Sequence, residues 1–203
     1  MMLEGEQLLE LWEAGTGRNS FLQGLLLLGV AQPQIPPQEL EDVTLADRNL
    51  AVLGLRRSLY GPQADAQVSC RHCGEGMEIQ LNLDAMIEPS EGVGRGSLTT
   101  RDLRSVEGLD RAEARRRLEP LIATGEADSL ALITIAAICP ACGQQGSYIF
   151  DPITFLWQEV EVRGRRLMRE VQSLARALAW SEAAILAMSP PRRRHYLLLS
   201  GLV

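Results

Sequence analysis

Two short cysteine motifs constrain this chain more than any other feature. Cys70-Arg-His-Cys73-Gly74 and Cys139-Pro-Ala-Cys142-Gly143 share one spacing, and the chain has no other cysteine. Each C-x-x-C-G run is a tight turn that points two sulfurs to one side. The small residue after the second Cys lets backbone N–H groups close on those sulfurs. Together the turns supply Cys70, Cys73, Cys139 and Cys142, the soft tetrahedral ligand set of a structural zinc. A shell of four thiolates has no open coordination position, so zinc here is a staple and not a catalytic metal. The plainer alternative is four free or disulfide-bonded cysteines. A redox C-x-x-C pair usually occurs singly, in a thioredoxin-like setting that is absent here. His72, inside the first motif, reads as a surface residue rather than a fifth ligand. The gap of 65 residues between Cys73 and Cys139 is longer than in a compact zinc ribbon. Something is therefore inserted between the two halves.

With 203 residues, 46% of them hydrophobic and 23% charged, the chain is globular rather than disordered. Aromatics are only 4%, and Leu and Ala dominate, which favours helices over a β-sandwich. The net charge of -6 argues against non-specific binding of nucleic acid or of an anionic membrane across the whole surface. Met1-Met-Leu-Glu-Gly-Glu6 lacks the basic n-region of a signal peptide. The longest apolar run, residues 25–31, is too short to span a bilayer. Thiols or thiolate-bound metal suit a reducing cytoplasm.

Residues 3–14 predict an amphipathic helix ended by Gly15-Thr-Gly17. Asn19 or Ser20 caps a second helix to about Ala31, which is apolar nearly all round and so is expected to be buried. Gln32 to Pro37 is a linker. Thr44-Leu-Ala-Asp47 opens a third helix as an approximate capping box, running to about Tyr60, with Arg48, Arg56 and Arg57 on or beside its polar edge. Strands are expected at 66–70 and 77–83, the latter alternating apolar and polar. Residues 89–98 look like a mobile connection. Thr99 to Leu103 starts an ordered piece, Leu109 to Glu119 is helical, and Pro120 interrupts it. Residues 123–128 break the chain. Leu130 to Ile138 tilts to strand through its β-branched members, and Gly146 to Phe150 is its partner.

From Pro152 the chain is helical. Leu156, Val160, Gly164, Leu167, Val171, Leu174 and Leu178 form a core stripe, and Gly164 within it implies close approach of another backbone. Glu161 and Arg165 make an i,i+4 pair. Ser181 caps a short helix that buries Ile185, Leu186 and Met188, and Ser189-Pro190 opens a last one. Arg192, Arg193 and Arg194 then sit in a first turn, where the helix dipole disfavours cations by roughly 0.3–1 kcal/mol each. They are either a solvated face or groups that engage carboxylates, on this chain or on a partner.

The fold class expected is α+β, mostly α. An N-terminal helical segment (1–62) and a C-terminal one (152–203) flank a split zinc ribbon (63–151) with a helical insertion at about 99–127, forming one integrated domain. No Walker loop, G-x-G-x-x-G, H-E-x-x-H or G-x-S-x-G occurs, and the carboxylates show no isolated catalytic pair, so no enzyme is expected.

Several stretches together resemble one family. They are residues 9–14 and 21–31; Asp47-Arg48, Leu53 to Arg57 and Tyr60-Gly61; the two cysteine motifs with Thr99 to Leu103 between them; Phe150 to Glu159; Leu174-Ala175; Trp180-Ser-Glu182; Ile185 to Ala187; and Arg192-Arg193 with Tyr196-Leu197. In this order they are similar to T4-like baseplate proteins and baseplate hub assembly chaperones of tailed-phage and contractile-injection clusters. The third-helix segment lacks the family's stronger run of charges, and Pro120 departs from its inserted helix. The resemblance implies a non-enzymatic role in baseplate or tail-hub assembly, in the cytoplasm of a bacterial host cell or in the virion baseplate. The implied partners are baseplate, hub or tape-measure proteins, with no small-molecule substrate and no membrane. The implied mechanism has zinc fixing the N- and C-terminal helices so that they present a binding face. Trp157, Trp180, Arg192, Arg193 and Tyr196 are the candidate partner-binding residues, because Trp, Tyr and Arg dominate binding hot spots; for the two Trp residues the alternative is core packing. A permanent structural subunit of the baseplate is the nearest alternative role. A zinc-ribbon nucleic-acid binder is a third, opposed by the acidic balance and by the lack of aromatics interleaved with basic residues.

Overall fold

A computed structural model describes residues 3–88, 98–121 and 130–202. The expected connection at 89–98 and break at 123–128 lie almost wholly outside them. The fold is α+β and mostly helical. In chain order it runs α1 (Glu6–Gly15), α2 (Ser20–Ala31), a 3-10 segment (Pro37–Asp42), α3 (Leu45–Tyr60), β1 (Gln63–Ser69), β2 (Gly76–Asn82), α4 (Leu83–Ile87), α5 (Thr100–Ser105), α6 (Arg111–Leu118), a 3-10 turn (Glu119–Leu121), β3 (Ile133–Ile138), β4 (Gln145–Phe150), α7 (Pro152–Leu178), α8 (Glu182–Leu186) and α9 (Pro190–Leu199). Two compact units result: Ser20–Phe155, and Met1–Asn19 with Leu156–Val203. These units cut across the three sequence segments. Within the N-terminal segment, α1 belongs with the C-terminal helices, while α2 and α3 belong with the ribbon.

The Ser20–Phe155 unit is built on two antiparallel hairpins, β1–β2 and β3–β4, which share no strand pairing with each other. Alternation sorts their side chains. Ala64, Ala66, Val68, Met77, Ile79 and Leu81 of the first face Ile133, Ile135, Ala137, Tyr148 and Phe150 of the second in two continuous clusters, with Leu53 of α3 and Leu83 of α4 closing one end. The hairpins are copies in layout: the cysteine turns and the inward positions recur 69 residues apart (Cys70 and Cys139, Ala64 and Ile133, Leu81 and Phe150), and a helix follows each second strand directly. The inward volumes are complementary, with Ala64 and Ala66 in the first copy where the second has Ile133 and Ile135. Both pairs of strands match the sequence expectation, although β1 begins three residues earlier and β3 three residues later than the hydrophobic runs suggested.

Two T-x-x-D caps hold the insertion to α3. Thr44 accepts the Asp47 N–H at 3.1 Å, and Thr99 accepts the Asp102 N–H at 3.2 Å while Asp102 closes the box on the Thr99 N–H at 2.9 Å. The caps lie against each other, since Thr44 and Thr99 form a β-bridge and the Leu45 N–H donates to the Leu98 carbonyl at 2.8 Å. Arg48 and Arg56 are buried rather than placed at a polar edge. Arg48 donates to Thr100 Oγ1 at 3.1 Å and to Asn49 Oδ1, and Asn49 Nδ2 donates to the Leu130 carbonyl at 2.7 Å. Burial pulls the Arg48 guanidinium below its ordinary value, opposed by the charge of Asp151. Arg56 donates to the carbonyls of Gly61 and Gln63, closing the turn from α3 into β1. Both side chains are buried because they satisfy backbone or neighbouring polar groups that would otherwise be orphaned. In α2 only Gly24, Leu27 and Leu28 are fully buried, and Leu22 is exposed. The other residues from Phe21 to Ala31 are half-buried, so most of the helix surface is covered to some degree.

In the other unit the α7 stripe is buried from Leu156 to Leu174, with Leu178 half-buried at its end. Ile185 is buried as expected, but Leu186 and Met188 are only half so. Gly164 admits a side chain rather than a backbone: a Cβ built there would lie 2.6 Å from Trp12 Cγ. Gly15 of α1 faces the Trp157 ring in the same manner. Two glycine–tryptophan contacts thus seat α1 on α7. Gly164→Ala is expected to destabilise the protein by about 1–3 kcal/mol through overpacking, against a helix-propensity gain of about 1 kcal/mol. Combining it with Trp12→Leu should cost less than the two single changes added together, as read by denaturant melts.

Candidate metal centre

The cysteine turns are the tips of the two hairpins, and they are built alike. In the first, the Cys70 N–H donates to the Glu75 carbonyl at 2.8 Å and the Gly74 N–H to the Cys70 carbonyl at 2.9 Å. In the second, the Cys139 N–H donates to Gln144 and the Gly143 N–H to Cys139, both at 2.9 Å. Gly74 and Gly143 have φ of 78° and 70°, the left-handed region that a side chain disfavours. The glycine after each second cysteine is therefore what reverses the chain.

Packing the hairpins face to face brings all four sulfurs within 4.8 Å of one another. Cys70 Sγ lies 3.8 Å from Cys142 Sγ, and Cys73 Sγ lies 3.7 Å from Cys139 Sγ. A disulfide needs about 2.05 Å, so these are thiols and not bridges. Four sulfurs about 2.3 Å from a shared tetrahedral centre stand about 3.8 Å apart, which is the spacing seen across the two turns. Cys70 and Cys139 are buried, Cys142 is half-buried and Cys73 is exposed. The four can hold a metal ion.

Their electrostatics favour a cation. The N–H groups of Cys73 and then His72 bring the Cys70 thiol down to about 6, the His72 N–H lying 3.4 Å from its sulfur. Cys73 is pushed up to about 12: the Glu75 N–H pulls it down, but desolvation and the other three sulfurs outweigh it. At Cys142 the Gln144 N–H pulls down in the same way, and desolvation with the Cys139 and Cys70 sulfurs raises the thiol overall. Charge on one sulfur makes charge on the next more costly, and a bound dication removes that conflict.

Met77 and Tyr148 pack beside the buried cysteines, and the Arg71 guanidinium lies 5.8 Å from the centre of the Tyr148 ring. The sequence reading missed this cover. Its available signal was Gly146, a glycine inside a strand. A Cβ there would meet Tyr148 Oη at 2.6 Å, so the glycine makes room for the ring to lie back along its own strand. His72 is exposed and stands outside the sulfur cluster, as expected.

The partner-binding candidates separate into two kinds. Trp157 is buried against Gly15. Arg193 is also buried: its Nε donates to Glu170 at 3.3 Å and its Nη1 to the Met188 carbonyl at 2.6 Å. Neither presents a face to a partner; of the three arginines, Arg193 finds its carboxylate on this chain. Arg192 is exposed beside the Tyr196 ring, with 5.8 Å from guanidinium to ring centre, and Tyr196 meets Trp180 edge-on at 4.8 Å. Trp180 and Tyr196 are half-buried. Among the described residues, no helix is long and apolar enough to cross a membrane.

Comparison with protein-family models, curated proteins and solved structures gives no match to this chain.

Cys70→Ser and Cys139→Ser are each expected to abolish stoichiometric metal, read by elemental analysis of the purified chain. Because the ligands must be thiolates, metal should also be released as pH falls, with proton release on reloading. Arg193→Met is expected to cost roughly 1–3 kcal/mol by leaving the Met188 carbonyl without its donor and Glu170 with Arg166 alone, whereas Arg192→Ala should change stability by less than about 0.5 kcal/mol. Thermal melts of the two variants distinguish a buried anchor from a surface cation.

Proposed function

We propose that this chain is a non-enzymatic, zinc-stapled protein that assists assembly of a phage-type baseplate or tail hub through protein–protein contacts. The observation that carries the non-enzymatic part is the all-sulfur donor set. Four sulfurs complete a tetrahedral shell, so a zinc ion held there has no position left for water or substrate. Zinc would contribute folding energy, on the order of 10 kcal/mol in small thiolate sites, by tying two hairpins that share no strand pairing. Support for the baseplate role is the order of short motifs along the chain, from the first helix to Tyr196-Leu197.

The test is quantitative mass spectrometry of purified mature tail particles beside the assembling lysate, with elemental analysis of the isolated chain. Abundance in tail-protein complexes of the lysate and absence from particles is the result expected of a chaperone. A fixed stoichiometry in particles would instead make the chain a structural subunit. Absence from tail-protein complexes in both would overturn the baseplate reading, and a metal other than zinc at one per chain would overturn the zinc assignment.

A further inference from the structure

Helix α9 buries one side and leaves the other exposed. Arg193 and Leu197 face inward. Outward lie Arg192, Arg194 and His195, followed by Leu198, Leu199 and Leu202 at 56%, 71% and 44% exposure. Arg192, His195 and Leu199 are spaced three and four residues apart and so share one line along the helix, while Arg194 and Leu198, four apart, share a second line on the other flank of its exposed face; Leu202 follows beyond the helix end. Gly201, at φ 66°, ends the helix with the Leu202 N–H donating to Leu197 at 2.9 Å and the Gly201 N–H to Leu198 at 3.1 Å.

The charge on this surface is uncompensated. α9 contains no acidic residue, and Ser189 makes no side-chain cap bond. Among the described residues, neither Arg192 nor Arg194 has a carboxylate partner, whereas Arg165, Arg166 and Arg193 are all paired with glutamates of α7. The unit that contains α9, Met1–Asn19 with Leu156–Val203, holds nine arginines against eight glutamates, while the chain as a whole is -6. Cations in a first turn also oppose the helix dipole, a cost that carboxylates from outside would offset.

We infer that the outer face of α9 docks a partner-protein segment in which a block of Asp and Glu is followed by large aliphatic residues. The acidic block pairs with Arg192 and Arg194, and the aliphatic residues cover Leu198, Leu199 and Leu202. The stacked Arg192, Tyr196 and Trp180 side chains form a stiff flank for it. An anionic membrane fits the same residues less well. A helix lying in a membrane surface carries cations and leucines on opposite faces, and here they share one face, end to end. Nucleic acid fits less well again, because half of that face is leucine and offers phosphate nothing. The inference names a partner chemistry for the protein-binding role proposed above and rests on that role.

The experiment is selection of a displayed random-peptide library on the full zinc-loaded chain, followed by titration of the synthesised winners. Enriched peptides are expected to join an acidic block to aliphatic residues. Their affinity should fall at least about tenfold, equivalent to about 1.4 kcal/mol, in Arg192→Glu/Arg194→Glu, and again in Leu198→Ser/Leu199→Ser. Both double variants should keep the parental melting temperature. Winners that lack acidic residues, no enrichment over the double variants, or unchanged affinity for them would overturn the inference. So would leucine-dependent binding to vesicles of equal parts phosphatidylcholine and phosphatidylserine. If the double variants still join tail-protein complexes with unchanged affinity, the α9 surface alone is refuted and the assembly role stands.

Discussion

Two hairpins that exchange no backbone hydrogen bonds must be held together by their side chains, and everything in the ribbon depends on that contact. One end of it is ordinary hydrophobic burial, with Leu53, Ala64, Leu81, Leu83, Ile133 and Phe150 excluding water. The other end is four sulfurs within 4.8 Å, which is a poor contact by itself, because crowded thiolates repel. The dication proposed above would turn that end from a liability into a link on the order of 10 kcal/mol. A small domain is stable by only about 5–15 kcal/mol, so a link of that size governs whether the hairpins stay packed.

The two hairpins also show how one layout is used twice without being symmetric. Inward positions recur at a fixed offset, but the side chains there differ in size so that the faces interlock. Outward positions differ in character: Asp65, Gln67, Glu78 and Gln80 on the first hairpin correspond to Thr134, Ala136, Ser147 and Ile149 on the second. The insertion between the copies, where described, is anchored at one place. The paired Thr44 and Thr99 caps, the buried Arg48–Thr100 bond and the Asn49–Leu130 bond gather both ends of the insertion onto the start of α3. Surface pairs between Arg101 and Asp42 and between Arg104 and Glu41 add little to this, since exposed ion pairs are screened. Asn49 and Arg48 carry the attachment because their groups are desolvated and hydrogen-bonded.

In the other unit, tryptophan–glycine packing plays the corresponding part. Trp12 over Gly164 and Trp157 over Gly15 place α1 on α7 at close range, a reciprocal pair in which each helix lends a ring and a gap. The C-terminal helix adds the one buried ion pair of the unit among the described residues, Arg193 with Glu170. It leaves the neighbouring arginines to solvent.

By itself the sequence determined the candidate ligand set, the strands beside each cysteine turn, the α7 stripe and the capped starts of α3 and α8. All of these are local: a repeat of two or near 3.6 residues, a cap three residues before its acid, or a C-x-x-C-G turn is fixed by neighbours along the chain. Tertiary structure alone decided what long-range burial decides. It made Arg48, Arg56 and Arg193 interior anchors: Arg48 on Thr100 and Asn49, Arg56 on the Gly61 and Gln63 carbonyls, and Arg193 on Glu170 and the Met188 carbonyl. It put a tryptophan ring, rather than a backbone, against Gly164. It left Leu22 of α2 exposed, and it packed Tyr148 beside the buried cysteines with Arg71 against its ring. Residue type sets what a side chain can bond, but only the packed chain sets whether the bonding partner is water, a neighbouring helix or a surface left open for another protein.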